Sequence, residues 1–389
     1  MPVPRRRVQE PGAVMAKVLQ LYNIFGATTE RTMLEVPLSL AERGHDLTFA
    51  AETVADDAPA VEQRLLSLKR IHVEPTQDID AQMQAIAEQP PAIAEPFDLV
   101  HGHFGPRGLH VARYLHRGVP ILITTYGYDV SRLLRDPCWA DRYRWLGEQG
   151  ATFVALSESM AQTLKRCGVP GDRVEVIPLG IELSRWVFEP RPGNANFLFV
   201  GRFVDKKAPD DAIQALAALR RRGVNATLKL IGSGSPAEEA RLRELVESLG
   251  VVSEVEFVGR VPYETLAEAM RGVTALVTPS RVAADGDAEG CPMVLMQAQA
   301  VGTPVITTRH SGNPEALPPE AQRFVVEERD DDAIAQAMRN MLRLSTDERA
   351  ALQQAARRWI ESRFDLRRTV EQYDALYRRL VIGSSEHEA

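Results

Sequence analysis

Short β-branched or apolar runs alternate with amphipathic helical stretches along nearly the whole chain, the pattern of a parallel sheet covered by helices on both faces. In the first half the strands are expected at 18–22, 47–51, 99–101, 121–125, 153–156 and 174–177. A second series begins at 197–200 and continues at 227–231, 256–258, 275–277 and 305–307, with helices such as 209–222 and 238–249 between them. Two doubly wound α/β units in tandem are therefore expected, and 389 residues suffice for two separate cores. The break falls in 184–196, where Pro190, Pro192, Gly193 and two asparagines interrupt any period and predict a linker. The run 346–381 is helical, with Phe364-Asp365 as its expected break.

Between Arg281 and Ala300 the chain reads RVAADGDAEGCPMVLMQAQA, an acidic loop that passes through Glu289-Gly290-Cys291-Pro292 into an apolar helical pattern. Glycine lets backbone approach a ligand closely, and the first amides of the following helix offer donors and a positive dipole end, so a diphosphate would fit there. Glu289, at the mouth of the turn, is suited to accept hydrogen bonds from sugar hydroxyls. Gln297 lies eight residues on, about two helical turns, and is expected on the same face. The second informative cluster is Gly201-Arg202-Phe203-Val204-Asp205-Lys206-Lys207, directly after an expected strand. A guanidinium and an ammonium five positions apart there can clamp neighbouring phosphates. Taken singly, each loop is also ordinary turn and surface chemistry.

Charge and cysteine usage exclude several classes. A formal net charge of -7 argues against general nucleic-acid binding. Cys138, Cys167 and Cys291 are odd in number, with no CxxC, so neither a disulfide framework nor a zinc site is indicated and a reducing cytosol is expected. No apolar run reaches the roughly 18 residues needed to span a bilayer. Residues 1–14 read as a flexible tail, or as an upstream start before Met15.

With its order and spacing, the Glu289 loop resembles the retaining GT-B glycosyltransferases of the family-four group, which carry a Glu, seven residues and a second Glu; here the second is Gln297. Arg202 and Lys207 resemble the family's GR-x4-K element. Ile231-Gly232-Ser233-Gly234, Phe257-Val258-Gly259-Arg260-Val261, Gly302-Thr303-Pro304-Val305-Ile306 and Ser311-Gly312-Asn313-Pro314-Glu315 follow in the family's order, each weak alone because such turns are common. In the first half, Asn23-Ile24-Phe25-Gly26-Ala27-Thr28-Thr29-Glu30 is similar to the family's glycine-rich acceptor-side loop. Pro37 should kink or shorten the helix after it. Thr124-Thr125-Tyr126-Gly127-Tyr128-Asp129-Val130 resembles the HGxD element, with Tyr126 where the family has histidine and Asp129 retained.

From Met15 onward the chain is most similar to the exopolysaccharide and colanic-acid biosynthesis enzymes of that group. The resemblance implies a GT-B fold, two Rossmann-like domains facing a cleft, with a flexible tail at 1–14. The acceptor-binding domain would span 15–188 and be joined by a crossing helix at 366–382; the nucleotide-sugar-binding domain would span 189–365. It implies retaining transfer from a nucleotide diphosphate sugar to a hydroxyl of a glycan, a lipid-linked or a small-molecule acceptor, with no cofactor and no metal. Arg202, Lys207 and Glu289 would be catalytic. Gly26, Gly201, Gly232, Gly234, Arg260, Val261, Gly290, Cys291, Pro292, Met293 and Gln297 would hold the donor, and His103, Tyr126, Gly127 and Asp129 would lie on the acceptor and sugar side. Two histidines on one strand end, His101 and His103, lack a third ligand or carboxylate for a metal, so His101 is expected as a satisfied buried group.

The stretch 131–147 interleaves arginines with Leu133, Leu134, Trp139, Tyr143 and Trp145, divided by Pro137. Aromatic core with solvated arginines is the first reading; the second is peripheral contact of a cytoplasmic protein with the inner membrane face, where lipid-linked acceptors lie. Because Tyr126 and Gln297 depart from the family, a catalytically weak or silent partner subunit stays open. A sugar-nucleotide epimerase fits less well, since it would need more groups poised for acid–base chemistry.

Overall fold

A computed structural model describes residues 15–25, 31–54, 68–70 and 96–385. One sheet holds β1 (Lys17–Phe25), β2 (Asp46–Val54), β3 (Leu68–Arg70), β4 (Leu99–His103), β5 (Ile121–Thr124), β6 (Thr152–Ala155) and β7 (Val174–Val176), in the order β3-β2-β1-β4-β5-β6-β7. A second holds β8 (Asn196–Val200), β9 (Thr227–Ile231), β10 (Val255–Gly259), β11 (Ala275–Thr278), β12 (Val305–Thr308) and β13 (Val325–Val326), in the order β10-β9-β8-β11-β12-β13. Every neighbouring pair of the second sheet is parallel. Both orders run outward from their first strand and then reverse, the doubly wound arrangement whose ligand crevice lies at the strands' carboxyl ends beside the reversal.

The apolar runs become strands because parallel sheets bury both faces. Every residue of β4, β5, β6, β11 and β12 is buried. The eleven expected strands are all present, with no end shifted by more than three residues. The two unexpected ones, β3 and β13, have only 3 and 2 residues, too short to display a period of two.

Two compact units divide the described residues. One runs up to Ile123 and includes Gln149–Ala151 and the residues from Val370; the other holds Thr124–Glu148 and Thr152–Thr369. Segment 182–195 has no helix or strand, yet it is held within the second unit: Trp186 is buried, and Gln353 Nε2 donates to the Arg191 carbonyl at 3.2 Å.

In the first unit the helix Arg31–Glu42 continues through Pro37 for 12 residues instead of ending there. Met33, Leu34, Val36 and Leu40 are buried along it, so tertiary packing outweighs the roughly 3 kcal/mol that an interior proline costs. The helical run after 345 breaks where expected, into Thr346–Arg363 and Leu366–Ser385, the former opened by a reciprocal Ser345–Glu348 capping box. The residues from Val370 close the first unit through polar bonds. Gln20 Nε2 donates to the Tyr377 hydroxyl and Gln20 Oε1 bonds His103 Nε2, each at 2.8 Å. His101 Nδ1 bonds the same hydroxyl at 2.8 Å, and its ring stacks on that of His103 with centroids 4.2 Å apart. Burial lowers the His101 pKa to about 3, which keeps the ring neutral.

In the second unit the helix Met293–Val301 is apolar nearly all round and accordingly buried, as such helices are. The stretch 131–147 resolves into a 3-10 turn, Leu133–Arg135, and a helix, Cys138–Glu148, on either side of Pro137. Trp139, Tyr143 and Leu146 are buried, with the Arg142 guanidinium 4.8 Å from the Trp139 ring centre, so these side chains belong to the core.

Asp374 completes the first unit's polar core by meeting His45 Nε2 at 2.8 Å and Arg378 Nε at 3.0 Å. Burial pushes its carboxyl up, but the bonds from His45 and Arg378 outweigh that and hold it below the usual range. A depressed carboxyl stabilises the fold above its unfolded pKa and loses that contribution as pH falls through the folded one. Asp374→Ala should therefore cost about 1–3 kcal/mol at pH 7 by leaving the buried His45 Nε2 without its partner. Urea denaturation checks this, and the gap to wild type should close as the acid limb is approached.

Candidate active site

Two loops leave the second sheet at the reversal between β8 and β11. After β8 the chain turns through a 3-10 segment, Asp205–Lys207, into the helix Pro209–Arg221, with Ala208 in the left-handed region at φ 51°. After β11 comes the loop that ends at Glu289. The loops meet in an ion pair, Lys207 Nζ donating to Glu289 Oε2 at 2.9 Å.

Arg281 fixes the geometry from below. It is buried, its backbone amide donates to the Lys206 carbonyl at 3.0 Å, and its guanidinium meets Asp205 Oδ1 at 2.7 Å, Asp210 Oδ2 at 3.0 Å and Asp211 Oδ1 at 2.5 Å. Asp205 in turn accepts the Ala284 amide at 2.7 Å, so one buried cation ties both loops together. Lys206 adds a second cross-loop pair with Asp287 at 2.9 Å. Behind the cluster, burial and then the neighbouring Asp211 and Asp210 raise the Asp331 pKa to about 6.

Glu289 is 8% exposed, and its Oε1 is buried without a hydrogen-bond partner. Burial pushes this carboxyl up, but Lys207 and then Lys206 outweigh it and hold Glu289 below the usual range, hence ionised. A buried carboxylate oxygen with no donor is costly unless a ligand supplies one. The Glu289 amide donates to His310 Nε2 at 3.0 Å; His310 Nδ1 lies 2.6 Å from Glu328 Oε1, and Glu328 Oε2 accepts the Val282 amide at 2.9 Å.

Glycines let the backbones here come together. A Cβ on Gly290 would stand 2.2 Å from the Tyr126 carbonyl oxygen, and one on Gly127, whose φ is 130°, would stand 2.6 Å from the Gly290 nitrogen. Asp129, fully buried, accepts the amides of Tyr126 and Gly127 at 2.9 Å each and so shapes the turn. Ser131 Oγ donates to the Gly127 carbonyl at 2.8 Å and accepts the Ala288 amide at 3.1 Å. Beside this junction a pocket of about 190 Å³ is lined by Gly127, Ser131, Thr163, Glu289, His310 and Glu328, among others.

The remaining expected residues distribute as follows. Gly232 and Gly234 serve the close approach of the β8 and β9 ends: a Cβ on Gly232 would stand 1.8 Å from the Gly201 carbonyl oxygen, and one on Gly234 2.8 Å from that of Phe203. Arg202 and Arg260 are exposed and Val261 is half-buried. The Arg202 side chain has no ion pair or hydrogen bond among the described residues, so Lys207 and Glu289 meet without it. Cys291 is buried, and burial pushes its thiol up to about 12. Pro292 is the N-cap residue and Met293 the first residue of the helix. Glu289 thus precedes the helix, and the helical spacing expected between it and Gln297 does not apply. Gln297 instead points its Nε2 at the Tyr263 hydroxyl, 3.2 Å away. Tyr126 is half-buried; His103 is buried in the first unit; Gly26 lies outside the described residues. Sequence reasoning missed His310 and Glu328. His310 directly precedes the Ser311-Gly312-Asn313-Pro314-Glu315 turn, the one available signal, and Glu328 had none.

Comparison with known proteins follows the two sheets. A family model described as glycosyl transferases group 1 matches residues 181–359, and one described as glycosyltransferase family 4 matches residues 29–185. The chain is 33% identical over 310 residues to WcaL of Escherichia coli (strain K12), whose name assigns it to colanic acid biosynthesis, covering 77% of this chain and 74% of that protein. It is 30% identical over 261 residues to the amylovoran biosynthesis glycosyltransferase AmsK of Erwinia amylovora, covering 66% and 63%. Among solved structures it resembles a glycosyltransferase from Rickettsia africae with a TM-score of 0.77 at 18% identity, covering 94% and 99%. It also resembles Anabaena HepE in complex with UDP and glucose, with a TM-score of 0.74 at 16% identity, covering 93% and 99%. With the two strand orders, these likenesses identify the fold as GT-B. No described helix is long and apolar enough to cross a membrane.

Gly290→Ala should cost about 1–3 kcal/mol or more, because the added methyl meets backbone rather than a yielding side chain. Gly171→Ala, where a Cβ meets nothing within 4 Å, is the control and should stay within about 0.5 kcal/mol of wild type. Equal thermal midpoints for the two variants would refute the close approach.

Proposed function

Because the chain belongs to the family 4, group 1 glycosyltransferases, we propose that it retains anomeric configuration while moving a sugar from a nucleotide diphosphate sugar to a hydroxyl of an exopolysaccharide precursor. The observation that carries this reading is the Lys207–Glu289 pair at the reversal of the second sheet, with Glu289 Oε1 buried and unpartnered. A hydroxyl of the transferred sugar is the donor that oxygen fits. Lys207 has three donor hydrogens, so it can hold Glu289 and still reach a phosphate oxygen.

In this reading Lys207, Arg202 and the free amides at the start of the helix Met293–Val301 stabilise the charge that grows on the departing diphosphate, a role a divalent ion has elsewhere. The acceptor hydroxyl approaches the anomeric carbon on the face the phosphate leaves. Its oxygen forms the new bond as the carbon–phosphate-oxygen bond breaks, and its proton passes to the departing phosphate oxygen. No enzymic nucleophile is needed, which agrees with Glu289 being engaged by Lys207 rather than paired with a second carboxylate at the spacing of hydrolytic pairs. The names of WcaL and AmsK support an acceptor in exopolysaccharide synthesis, and the UDP in the HepE complex supports a nucleotide donor.

Lys207→Ala or Arg202→Ala should lower turnover roughly a hundredfold, the size expected for removing one preorganised charge from a leaving group. Glu289→Gln should reduce turnover more than nucleoside diphosphate affinity. Lys207→Ala carries a further signature: burial then acts on Glu289 with its main counter-charge gone, so the carboxyl rises and the acid limb of the pH–rate profile moves to higher pH. Donor hydrolysis and transfer assays across pH test both, and wild-type rates in either cation variant would refute the phosphate-clamp assignment.

Gln297 tests the ribose contact. A carboxylate accepts from both ribose hydroxyls, whereas a glutamine offers one acceptor and one donor, and here its donor already faces Tyr263. Gln297→Glu should tighten nucleoside diphosphate binding by about 1 kcal/mol. Titration calorimetry should show the gain for the ribonucleotide and much less for its 2′-deoxy counterpart; equal gains would remove Gln297 from the ribose.

A further inference from the structure

We propose that His310 is a positioning residue for Glu289: held in its Nδ1–H tautomer by Glu328, it accepts the Glu289 backbone N–H at Nε2 and thereby fixes where that carboxylate stands. The inference rests on the reading that Glu289 meets the transferred sugar.

The hydrogen-bond roles leave one consistent assignment. A backbone amide can only donate, so His310 Nε2, 3.0 Å from the Glu289 nitrogen, must present a lone pair. An ionised carboxylate can only accept, so the 2.6 Å contact with Glu328 Oε1 requires hydrogen on Nδ1. Glu328 is itself held ionised: burial pushes its carboxyl up, but the bond from His310 and the Val282 amide outweigh that. His310 is 1% exposed, so water does not compete for either nitrogen.

The backbone around the histidine is shaped for the same contact. Ser311 sits at φ 44°, a left-handed conformation that a non-glycine residue keeps only where its surroundings over-determine it. Gly312 lies so close to Glu289-Gly290 that a Cβ would stand 2.7 Å from the Gly290 carbonyl oxygen. The turn through His310, Ser311 and Gly312 thus cradles the backbone of Glu289 and Gly290, while Lys207 holds the carboxylate. The line of contacts runs from the Val282 amide through Glu328 and His310 to Glu289, and it joins both ends of the loop that follows β11 to the turn after β12.

The test combines spectroscopy with kinetics. Histidine-selective 15N labelling of the full chain should show neutral imidazoles with the proton on Nδ1, among them His110, whose Nδ1 faces the Pro106 carbonyl at 3.1 Å, and His310, the one signal that disappears in His310→Phe. That variant should speed hydrogen exchange of the Glu289 amide and lower turnover about tenfold, the equivalent of one lost hydrogen bond of about 1.4 kcal/mol. The dissociation constants of UDP and GDP, used as probes, should move by less than about twofold, because only the sugar end is disturbed. His310→Gln, whose carboxamide offers both an acceptor and a donor, should recover part of the rate. A proton on Nε2 overturns the proposal. So does a phenylalanine variant with unchanged exchange and turnover, or one whose nucleotide affinity falls as far as its rate. A wild-type chain that turns over no nucleotide sugar sinks the transferase reading instead, and the spectra and exchange rates still decide the histidine contact.

Discussion

The buried Arg281 guanidinium is the interaction on which the site depends. Three aspartates surround it, two of them at the start of the helix Pro209–Arg221 and one in the turn that carries Lys207. Removing Arg281 would leave Asp210 and Asp211 buried beside each other without their shared counter-charge, which costs several kcal/mol. The cluster's consequence is positional: a side chain from the β11 loop dictates the path of the β8 loop, and Lys207 and Glu289 are delivered to within 2.9 Å of each other. A lysine free to wander would spend its charge on water. Here the protein itself orients both charges, which is what the proposed stabilisation of a leaving diphosphate would require.

Much of this was readable in the order of residues, and the limits have physical causes. Strands buried on both faces must be short unbroken apolar runs, so 197–200 and 275–277 declared themselves, whereas β3 and β13 are too short to carry any period. Lys207 and Glu289 could be singled out as candidates because strand ends followed by glycine and charge are where doubly wound sheets put ligands, and the structure brings the two together. His310 was not, because its part depends on which nitrogen faces an amide 21 residues away in sequence, something no local pattern encodes. The spacing of Glu289 and Gln297 misled for a related reason: Gly290, Cys291 and Pro292 lie outside the helix, so helical periodicity has no purchase on Glu289. Pro37 did not shorten its helix, since propensity is a local quantity and Leu34 and Leu40 are held by the core.

Glycine is put to two uses here that sequence alone does not separate. Gly150, Gly223 and Gly250 supply a positive φ and have open space where a side chain would be. Gly127, Gly232 and Gly290 supply room for another backbone. Only the second use transmits position from one loop to another, and Gly127, which serves it, lines the pocket together with Glu289.

The polar bonds of the last helix bear on the order in which the chain can fold as it is made. Gln20 in the first strand finds its Tyr377 partner 357 residues later, and His45 waits 329 residues for Asp374. At a synthesis rate of about 5–20 residues per second, that interval is roughly 18–70 seconds. During it the second sheet, whose strands lie close together in sequence, can close while the first keeps buried-type polar groups unsatisfied. Vectorial synthesis therefore inverts the usual sequence of events: the unit whose strands are made first gets the last of its buried polar partners only when the helix Leu366–Ser385 emerges.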